Sequence, residues 1–198
     1  MNHHSRDINR LLRCHHTNDP AIIKEMIQQY YAAIYRLAGS ILYDSDEAKD
    51  ATQDTFITAM TKLDQYQVGT NFKAWLYAIA VNTCRGYMRK RKRRESLNKV
   101  LTTVQALAAH PPSPERSVLQ GEMRSQLWDA VDQLSDKHRI TVVLRMVHGL
   151  TIQEIAQVLE TKEKTVYSRL YSAFHKLRQQ LDGQIELESI SDWCPESK

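Results

Sequence analysis

The fold of the C-terminal half is decided by the stretch Leu150–Leu170, which reads LTIQEIAQVLETKEKTVYSRL. Within it, Thr151 and Glu154 have the Thr-x-x-Glu spacing of a capping box, which predicts a helix over residues 152–159. After a short turn, apolar residues recur at helical spacing and predict a longer helix over about residues 162–181. Two helices joined by so short a turn are typical of a helix-turn-helix motif.

The second helix of this motif has the composition expected of a helix that contacts DNA. Val158, Val166 and Leu170 are predicted to form a small core with Ile155 and Ala156. In helix-turn-helix proteins the second helix enters the major groove of duplex DNA. On the residue pattern alone, an ordinary helical hairpin with a solvated charged face is the alternative. The outward-facing side chains are predicted to be Lys164, Thr165, Tyr167, Ser168, Arg169, Tyr171 and Ser172.

The N-terminal half also has the pattern of helices. Pro20 after Asp19 is typical of a helix start, and Asp44 with Glu47 predicts a second start through a capping box. A third helix is predicted from about Asn71 onward. The first helix is predicted to bury one apolar stripe, formed by Ile23, Ile27, Tyr30, Ile34, Leu37 and Ile41.

The sequence shows no strand-like alternation, so the fold class is predicted to be all-α, with two small helical domains. Three prolines between His110 and Pro114 end any helix and mark a linker between the domains. In the second domain, Ser135 is predicted to cap a helix that runs to about His148, with Gly149 in the left-handed conformation after it. An N-terminal extension, the first domain, the linker, the second domain and an acidic tail are predicted over residues 1–19, 20–94, 95–114, 115–182 and 183–198.

Charge is distributed unevenly along this chain of 198 residues, whose net charge is +4. Residues 85–94 hold seven basic side chains and no acidic one, whereas residues 44–54 hold five acidic side chains and one Lys. The basic run is expected to attract phosphates, and the acidic stretch suits a basic partner. Phe72 and Trp75 lie upstream of the basic run, and rings beside cations suit single-stranded nucleic acid. The same pattern fits equally well with both rings buried in the core and the basic run exposed to solvent. An RNA-binding module is a further alternative for this segment.

Composition and motifs argue against several other classes of protein. The longest apolar stretch, Trp75–Val81, has seven residues, whereas a membrane-spanning helix needs about 20. We therefore expect a cytoplasmic protein without membrane insertion, and the three scattered cysteines fit a reducing compartment.

No nucleotide-binding loop, serine-hydrolase motif or zinc-protease motif occurs in the sequence, so an enzyme is not expected. A nuclease site at Asp46, Asp50 and Asp54 is a weaker hypothesis than an exposed helical stripe. We expect no cofactor and no metal, since no standard zinc spacing occurs among His3, His4, Cys14, His15 and His16.

Motifs in both halves occur in an order that is typical of one protein family. The first half carries DEAKDATQDTF at residues 46–56 and FKAWLYAIAVN at residues 72–82, followed by the basic run. The second half carries LSDKHR, VLR, GLTIQEIA and TVYSR, at residues 134–139, 143–145, 149–156 and 165–169. Over about residues 20–182 the chain thus resembles bacterial sigma factors of the sigma-70 family, extracytoplasmic-function (ECF) group. The resemblance implies a non-enzymatic protein that directs core RNA polymerase to promoters and helps to melt them.

The resemblance also implies three interfaces. The β′ clamp helices of the polymerase would contact Asp46, Glu47, Asp50, Gln53, Asp54 and Phe56, although Phe56 also fits a core position. The −10 element, with a flipped base held by the loop 64–70, would be contacted by Tyr66, Gln67, Asn71, Asn82, Arg85, Arg89 and Lys90. The −35 element would be contacted by the seven outward-facing side chains of the helix-turn-helix. Further implied partners are the polymerase β flap and an anti-sigma factor. The alternative is a helix-turn-helix regulator that binds duplex promoter DNA without being a polymerase subunit.

The sequence departs from the family pattern in two segments that bear on this hypothesis. Glu160 and Lys164 stand where the family often has Gly in and after the helix-turn-helix turn. Gly86 replaces a frequent acidic or amide residue in the helix expected to contact the −10 element. The first departure leaves the geometry of the turn and its register on DNA open, and the second is expected to loosen the helix before the basic run.

Overall fold

The computed structural model describes residues 20–104, 128 and 130–180. All regular structure in this part of the chain is helical, which confirms the all-α prediction. The elements are α1 (Pro20–Leu42), α2 (Ser45–Thr61), a 3₁₀ turn (Leu63–Gln65), α3 (Phe72–Val104), α4 (Asp136–Val142), a π-helical turn (Val143–Val147), α5 (Ile152–Val158) and α6 (Glu163–Gln180). The N-terminal extension with its His and Cys residues, residues 105–114 of the predicted linker and the acidic tail lie outside the described residues.

Helices α1, α2 and α3 pack around one apolar core. Phe72, the first residue of α3, is fully buried at its centre. Its ring lies 5.7 Å from the ring of Tyr30, 5.2 Å from Tyr66 and 5.3 Å from Trp75, measured between centroids. The start of α3 is therefore fixed by aromatic packing against α1 and against the loop before α3.

The predicted apolar stripe on α1 is correct from Tyr30 onward and wrong at Ile27. Tyr30 is 6% exposed, and Ile34, Leu37 and Ile41 are fully buried. Toward the N-terminus the stripe continues through Met26, which is 0% exposed, whereas Ile27 is 37% exposed. A shift of one residue turns a side chain by about 100° around a helix. Ile27 therefore lies at the exposed edge of α1, in line with Tyr31 and Tyr35.

The start of α2 is capped as predicted, but by one half of the capping box. The Asp44 carboxylate accepts hydrogen bonds from the backbone amides of Asp46 and Glu47, at 2.9 and 2.7 Å. The Glu47 carboxylate turns away from this cap and accepts a hydrogen bond from Arg91 on α3 at 3.3 Å. Arg91 also donates to the carbonyl of Leu42 at 3.0 Å. Part of the basic run thus stabilises the α1–α2 corner.

Helix α3 extends beyond the point at which the linker was predicted to begin. It ends at Val104, ten residues after Arg94. The sequence ESLNKVLTTV at residues 95–104 contains no Gly or Pro, and the first proline of the linker is Pro111. Because nothing in this stretch breaks a helix, the basic run continues as helix. The end of the first domain at residue 94 stays a prediction, while the helix itself continues for ten further residues.

In the second domain, the helix predicted to end near His148 is α-helical only to Val142. It widens into a π-helical turn over Val143–Val147, and the His148 amide donates to the carbonyl of Val143 at 3.3 Å. Gly149 has a φ of 61°, which confirms the predicted left-handed position. Ser135 lies at the N-cap of α4 without a side-chain cap bond, because its hydroxyl is hydrogen-bonded to His138 Nδ1 at 2.8 Å.

The two helical units pack directly against each other. Arg139 of α4 is 5% exposed and forms ion pairs with Asp132 at 3.0 Å and Asp136 at 3.4 Å. Its guanidinium lies 5.3 Å from the ring centroid of Tyr43, in the corner between α1 and α2. Lys92 of α3 forms an ion pair with Asp136 at 2.8 Å. These contacts hold α4 against the first domain.

His148 lies at the same junction, facing α3. The Tyr77 hydroxyl and His148 Nδ1 are 3.3 Å apart, and Nε2 is buried without a hydrogen-bond partner in the part of the chain that the structure describes. Burial, reinforced by the nearby cations of Arg36 and Lys73, lowers the pKa of His148 from 6.5 to about 4. The folded protein therefore keeps His148 neutral at pH values where an unfolded chain would bind a proton.

We expect the protein to lose stability as the pH falls from 6.5 toward 4, because the unfolded state then binds more protons than the folded state. Near pH 5.5 this side chain alone should cost about 1 kcal/mol of the free energy of unfolding. Urea unfolding at neutral pH and near pH 5.5 measures the loss. The His148→Gln variant should show a smaller pH dependence, and an unchanged dependence would contradict this assignment.

Candidate nucleic-acid and protein interfaces

Helix α2 presents an acidic crest to solvent, defined here as Asp46, Asp50, Gln53 and Asp54, all of which are exposed. The opposite face is buried and includes Ala48, Ala51, Thr52, Thr55, Phe56 and Ala59. The hydroxyls of Thr52 and Thr55 donate to the backbone carbonyls four residues earlier, at 2.7 and 2.6 Å. Because both buried hydroxyls are satisfied locally, the helix packs tightly while its crest stays free of the core.

Two members of the predicted polymerase-binding set lie beneath or beside the crest. Phe56 is 5% exposed, and its ring stacks on Tyr31 of α1 with a centroid distance of 6.2 Å. Glu47 is half-buried against Arg91. The structure therefore places Phe56 in the core, the alternative left open by the sequence, and gives Glu47 a role in joining α2 to α3.

A hydrogen bond connects the acidic crest to α3. The Tyr87 hydroxyl donates to Asp54 Oδ2 at 2.9 Å. Burial, this hydrogen bond and the nearby carboxylates of Asp54, Asp50 and Glu47 raise the pKa of Tyr87 to about 12. The hydroxyl therefore stays protonated and can act as a donor at neutral pH. The sequence pattern did not single out Tyr87 as a partner of the crest, since the two residues are 33 positions apart.

The loop between α2 and α3 is held by its own tyrosine. Tyr66 is 6% exposed, its ring packs on Phe72 and Trp75, and its hydroxyl donates to the carbonyl of Thr70 at 2.7 Å. Gln67 is exposed at the tip of the loop. Of the residues predicted to hold a flipped base, the loop thus presents Gln67, whereas Tyr66 shapes the loop from inside.

Asn71 ends the loop and makes two side-chain hydrogen bonds. Its Oδ1 accepts from the Ala74 amide at 3.1 Å, which caps α3. Its Nδ2 donates to Glu154 Oε1 of the helix-turn-helix at 3.2 Å. Both polar atoms of the Asn71 side chain are therefore hydrogen-bonded within the protein. The sequence pattern did not predict these bonds.

The remaining predicted −10 residues lie along one side of α3. Asn82, Arg89 and Lys90 are exposed and Arg85 is half-buried. Arg85 donates to Asn82 Oδ1 at 3.3 Å, and the Lys90 ammonium lies 5.4 Å from the ring centroid of Tyr87. An open groove of about 300 Å³ runs between this side of α3 and α2, lined by Asp54, Ile57, Thr58, Asn82, Thr83, Gly86, Tyr87 and Lys90. Cations and a ring beside a groove suit a single strand of nucleic acid.

The helix-turn-helix forms as predicted. The capping box is complete, since the Thr151 hydroxyl accepts from the Glu154 amide and the Glu154 carboxylate accepts from the Thr151 amide. The buried side of α6 consists of Val166, Leu170, Ala173, Phe174 and Leu177. All seven residues predicted to contact the −35 element lie outside that buried side, and Tyr171 is 62% exposed.

The turn between α5 and α6 contains a strained residue. Glu160 has a φ of 49°, in the left-handed region that favours Gly. The next amide, of Thr161, donates to the carbonyl of Ala156 at 2.9 Å, which closes the end of α5. The turn thus adopts a left-handed conformation at a residue that fits it poorly.

We expect the Glu160→Gly variant to be more stable than the parent chain by roughly 0.5–1 kcal/mol. A non-Gly residue in the left-handed conformation costs about 1–2 kcal/mol of folding free energy, which the Gly variant recovers. Part of this gain is offset because Gly has more conformational entropy to lose when the chain folds. Urea unfolding measures the difference. Thr161→Gly is the matched control, because Thr161 has an ordinary backbone conformation, and it should lose stability. A loss in both variants would contradict the strain assigned to Glu160.

In the described ranges, no helix is long and apolar enough to cross a membrane. The same ranges contain no cluster of three or more His, Cys, Asp or Glu side chains able to hold a metal ion. The surfaces predicted from the sequence lie on faces of α2, α3 and α6 and on the loop before α3.

Comparison with known proteins identifies the family to which these surfaces belong. Residues 26–94 match the family model "Sigma-70 region 2", and residues 124–177 match "Sigma-70, region 4". The ECF RNA polymerase sigma factor SigW of Bacillus subtilis is 29% identical over 169 residues, 82% of this chain and 90% of that protein. The sigma-H factor of Pseudomonas aeruginosa is 30% identical over 154 residues, 75% of this chain and 80% of that protein. The chain belongs to the ECF group of the sigma-70 family.

Another relative of this sigma factor is the ECF sigma factor SigE of Mycolicibacterium smegmatis, 32% identical over 157 residues. The chain spans 60% of that longer protein, and the match covers 79% of this chain. Solved structures confirm the fold. The sigma factor RpoE of Bartonella quintana, in complex with the anti-sigma factor NepR, has a TM-score of 0.63 at 24% identity and covers 82% of this chain and 98% of that chain. CnrH, in complex with the cytosolic domain of CnrY, has a TM-score of 0.65 at 22% identity and covers 92% and 99%.

Proposed function

We propose that this ECF sigma factor docks the acidic crest of α2 on the β′ clamp helices of core RNA polymerase. The supporting observation is that Asp46, Asp50, Gln53 and Asp54 are all exposed on one helix, within the segment that matches sigma-70 region 2. Carboxylates at this density suit a basic partner surface, which steers association and fixes orientation. Phe56 and Glu47 contribute indirectly, by holding the crest against α1 and α3.

The −10 element is proposed to bind along α3 and the loop before it. Gln67, Asn82, Arg89 and Lys90 are exposed there, and Asn82 and Lys90 line the open groove between α2 and α3. A base must leave the stack to be contacted by a protein in this way, which costs a few kcal/mol. Stacking and phosphate contacts along a basic helix offset such a cost.

The −35 element is proposed to bind as duplex in front of α6. A recognition helix contacts base edges in the major groove, where each base pair presents a distinct pattern. The outward-facing side of α6 supplies hydroxyls, rings and cations, including Lys164, Tyr167 and Arg169. Arg and Ser at such positions divide between phosphate positioning and base contacts.

The same proposal gives the other partners and the setting. Sigma factors are non-enzymatic initiation factors, and we infer that this chain carries no catalytic activity and acts in the cytoplasm on core polymerase. The titles of two structural neighbours name complexes with NepR and with the cytosolic domain of CnrY. By analogy we propose an anti-sigma partner for this chain, and contact of the second domain with the polymerase β flap.

Transcription in vitro tests the proposed function. The purified protein is mixed with bacterial core RNA polymerase and genomic DNA fragments, and the transcripts are sequenced against core alone. We expect new start sites that share upstream −35 and −10 sequences. A folded protein that gives no new start sites would overturn the proposal. Binding to duplex promoter DNA in the absence of polymerase would then support the regulator hypothesis.

A further inference from the structure

Positively charged side chains gather where the start of α4 packs against α6. Lys137 and His138 lie in the first turn of α4, and Arg169 and Lys176 lie two turns apart on α6. The pKa of His138 is lowered by burial first, and then by the cations of Lys176, Arg169 and Lys137 in that order. These four residues therefore form one basic surface across two helices, called the basic seam here.

The carboxylates closest to the basic seam along the chain are engaged by another residue. Asp132 and Asp136 both form ion pairs with Arg139, at 3.0 and 3.4 Å. Within residues 20–104, 128 and 130–180, no ion pair involves a member of the basic seam. Because its charge is not balanced by these described carboxylates, the seam suits an anionic partner.

An acidic segment of the same chain follows α6 directly. The acidic tail, residues 183–198, contains four carboxylate side chains and one lysine, and Asp182 precedes it. Gln180, the last residue of α6, donates through Nε2 to Oε1 of Gln133 at 2.8 Å. Gln133 lies three residues before the start of α4. The chain therefore leaves α6 beside the segment that leads into α4, at one end of the basic seam.

The tail is long enough to lie along the whole seam. Arg169 precedes Gln180 by 11 residues, which is about 17 Å at a rise of about 1.5 Å per helical residue. An extended chain covers up to about 3.5 Å per residue. Glu186 and Glu188 follow Gln180 by six and eight residues, so both can reach Arg169 by running back along α6.

We propose that the acidic tail docks on the basic seam of its own chain and that duplex DNA competes with it there. Carboxylates spaced along the tail match cations spaced along the seam, and tethering gives the tail a high effective concentration at the seam. The docking itself requires neither polymerase nor promoter. The competition rests on the proposed function, because Arg169 belongs both to the seam and to the surface proposed to bind the −35 element.

Carbodiimide cross-linking of the free full-length protein tests the docking in the absence of polymerase and DNA. At low salt, we expect amide bonds between tail carboxylates and Lys137 or Lys176, both of which are exposed, detected by peptide mass spectrometry of the monomer. Lys62, an exposed lysine of the first domain, is the matched control. Yields at the seam no higher than at Lys62 would overturn the docking. The proposed function would be unaffected by that result, because cross-linking measures no transcription.

Binding of a labelled, mixed-sequence duplex DNA at low salt tests the competition. The seam variant carries Lys137→Gln and Lys176→Gln. The tail-neutral variant replaces every carboxylate after α6 by its amide, with Asp182→Asn, Glu186→Gln, Glu188→Gln, Asp192→Asn and Glu196→Gln.

A tail that is docked about 90% of the time lowers the apparent affinity for DNA about tenfold. The tail-neutral variant should therefore bind the duplex about tenfold more tightly than the parent chain. In the seam variant, neutralising the tail should raise the affinity by no more than about twofold, because the seam no longer holds the tail. Equal gains with and without the seam lysines would show a general charge effect and overturn the competition. No gain in either background would overturn it as well.

Discussion

Replacing Asp50 and Gln53 together by lysine should lower the affinity of the chain for core RNA polymerase by at least about 100-fold. Residues at the centre of an interface cost about 2 kcal/mol or more each when lost, and every 1.4 kcal/mol is a factor of about ten. Both side chains are exposed on the acidic crest, so the change should leave the fold intact. Fluorescence anisotropy of the labelled protein against core polymerase measures the effect.

An acidic residue elsewhere on the first domain, replaced by lysine, serves as the control. It distinguishes a specific contact through the crest from an effect of overall charge on the affinity for polymerase. Glu25→Lys on α1 lies outside the crest and should bind core polymerase within about threefold of the parent chain, as expected for a peripheral charge. Equal losses in the crest variant and in Glu25→Lys would show that overall charge, not the crest, carries the affinity. Full affinity in the crest variant would place the polymerase contact on another surface.

Replacing Phe72 by alanine should destabilise the protein by about 3–5 kcal/mol, the usual cost of deleting a buried phenylalanine. Phe72 is 0% exposed and contacts Tyr30, Tyr66 and Trp75, so its loss opens a cavity where α1, the loop and α3 meet. Total stabilities of domains are about 5–15 kcal/mol. The variant should therefore lose a substantial part of its stability, as measured by urea unfolding followed by circular dichroism.

The matched control for Phe72→Ala is Ile57→Ala on α2. Ile57 is 55% exposed, so truncation should change the free energy of unfolding by no more than about 0.5 kcal/mol. A small effect at Phe72 would contradict its place at the centre of the core. A large effect at Ile57 would show that this residue is covered in solution, which the described surface does not predict.

Local sequence patterns predicted the features that depend on neighbouring residues. The capping box at Thr151 and Glu154 fixed the start of α5, because both partners lie within one helical turn. Gly149 was placed correctly for the same reason, since a left-handed residue after a helix is a property of the backbone itself. The acidic crest of α2 followed from helical periodicity once Asp44 marked the start of the helix.

Features that depend on distant residues were not predictable from these patterns. Tyr66 was expected to face DNA, but Phe72 and Trp75 supply an apolar surface that covers its ring. The contact of Asn71 with Glu154 joins residues 83 positions apart, which no local spacing encodes. Periodicity likewise predicted burial of Ile27, whose exposure follows from how α1 is rotated against its neighbours.

Some differences have a local cause that the pattern did not reveal. The helix after Ser135 widens into a π-helical turn at Val143–Val147, and the His148 amide then reaches the carbonyl of Val143. The continuation of α3 to Val104 reflects the absence of Gly and Pro in residues 95–104. Residues 95–104 therefore remain helical by their own propensity. The match to the family model of the first domain ends at Arg94.

Permanganate reactivity of thymines on a promoter fragment detects DNA strands that have separated, and it therefore tests whether this sigma factor helps core RNA polymerase to melt promoters. Core RNA polymerase alone, this protein alone and the two together are compared on a fragment that contains a start site found by transcript sequencing. We expect reactive thymines in the −10 region only when both proteins are present, and their loss with the Asp50 and Gln53 lysine variant. An unreactive −10 region with both proteins present, on a fragment that the complex binds, would show that this sigma factor does not help to melt the promoter.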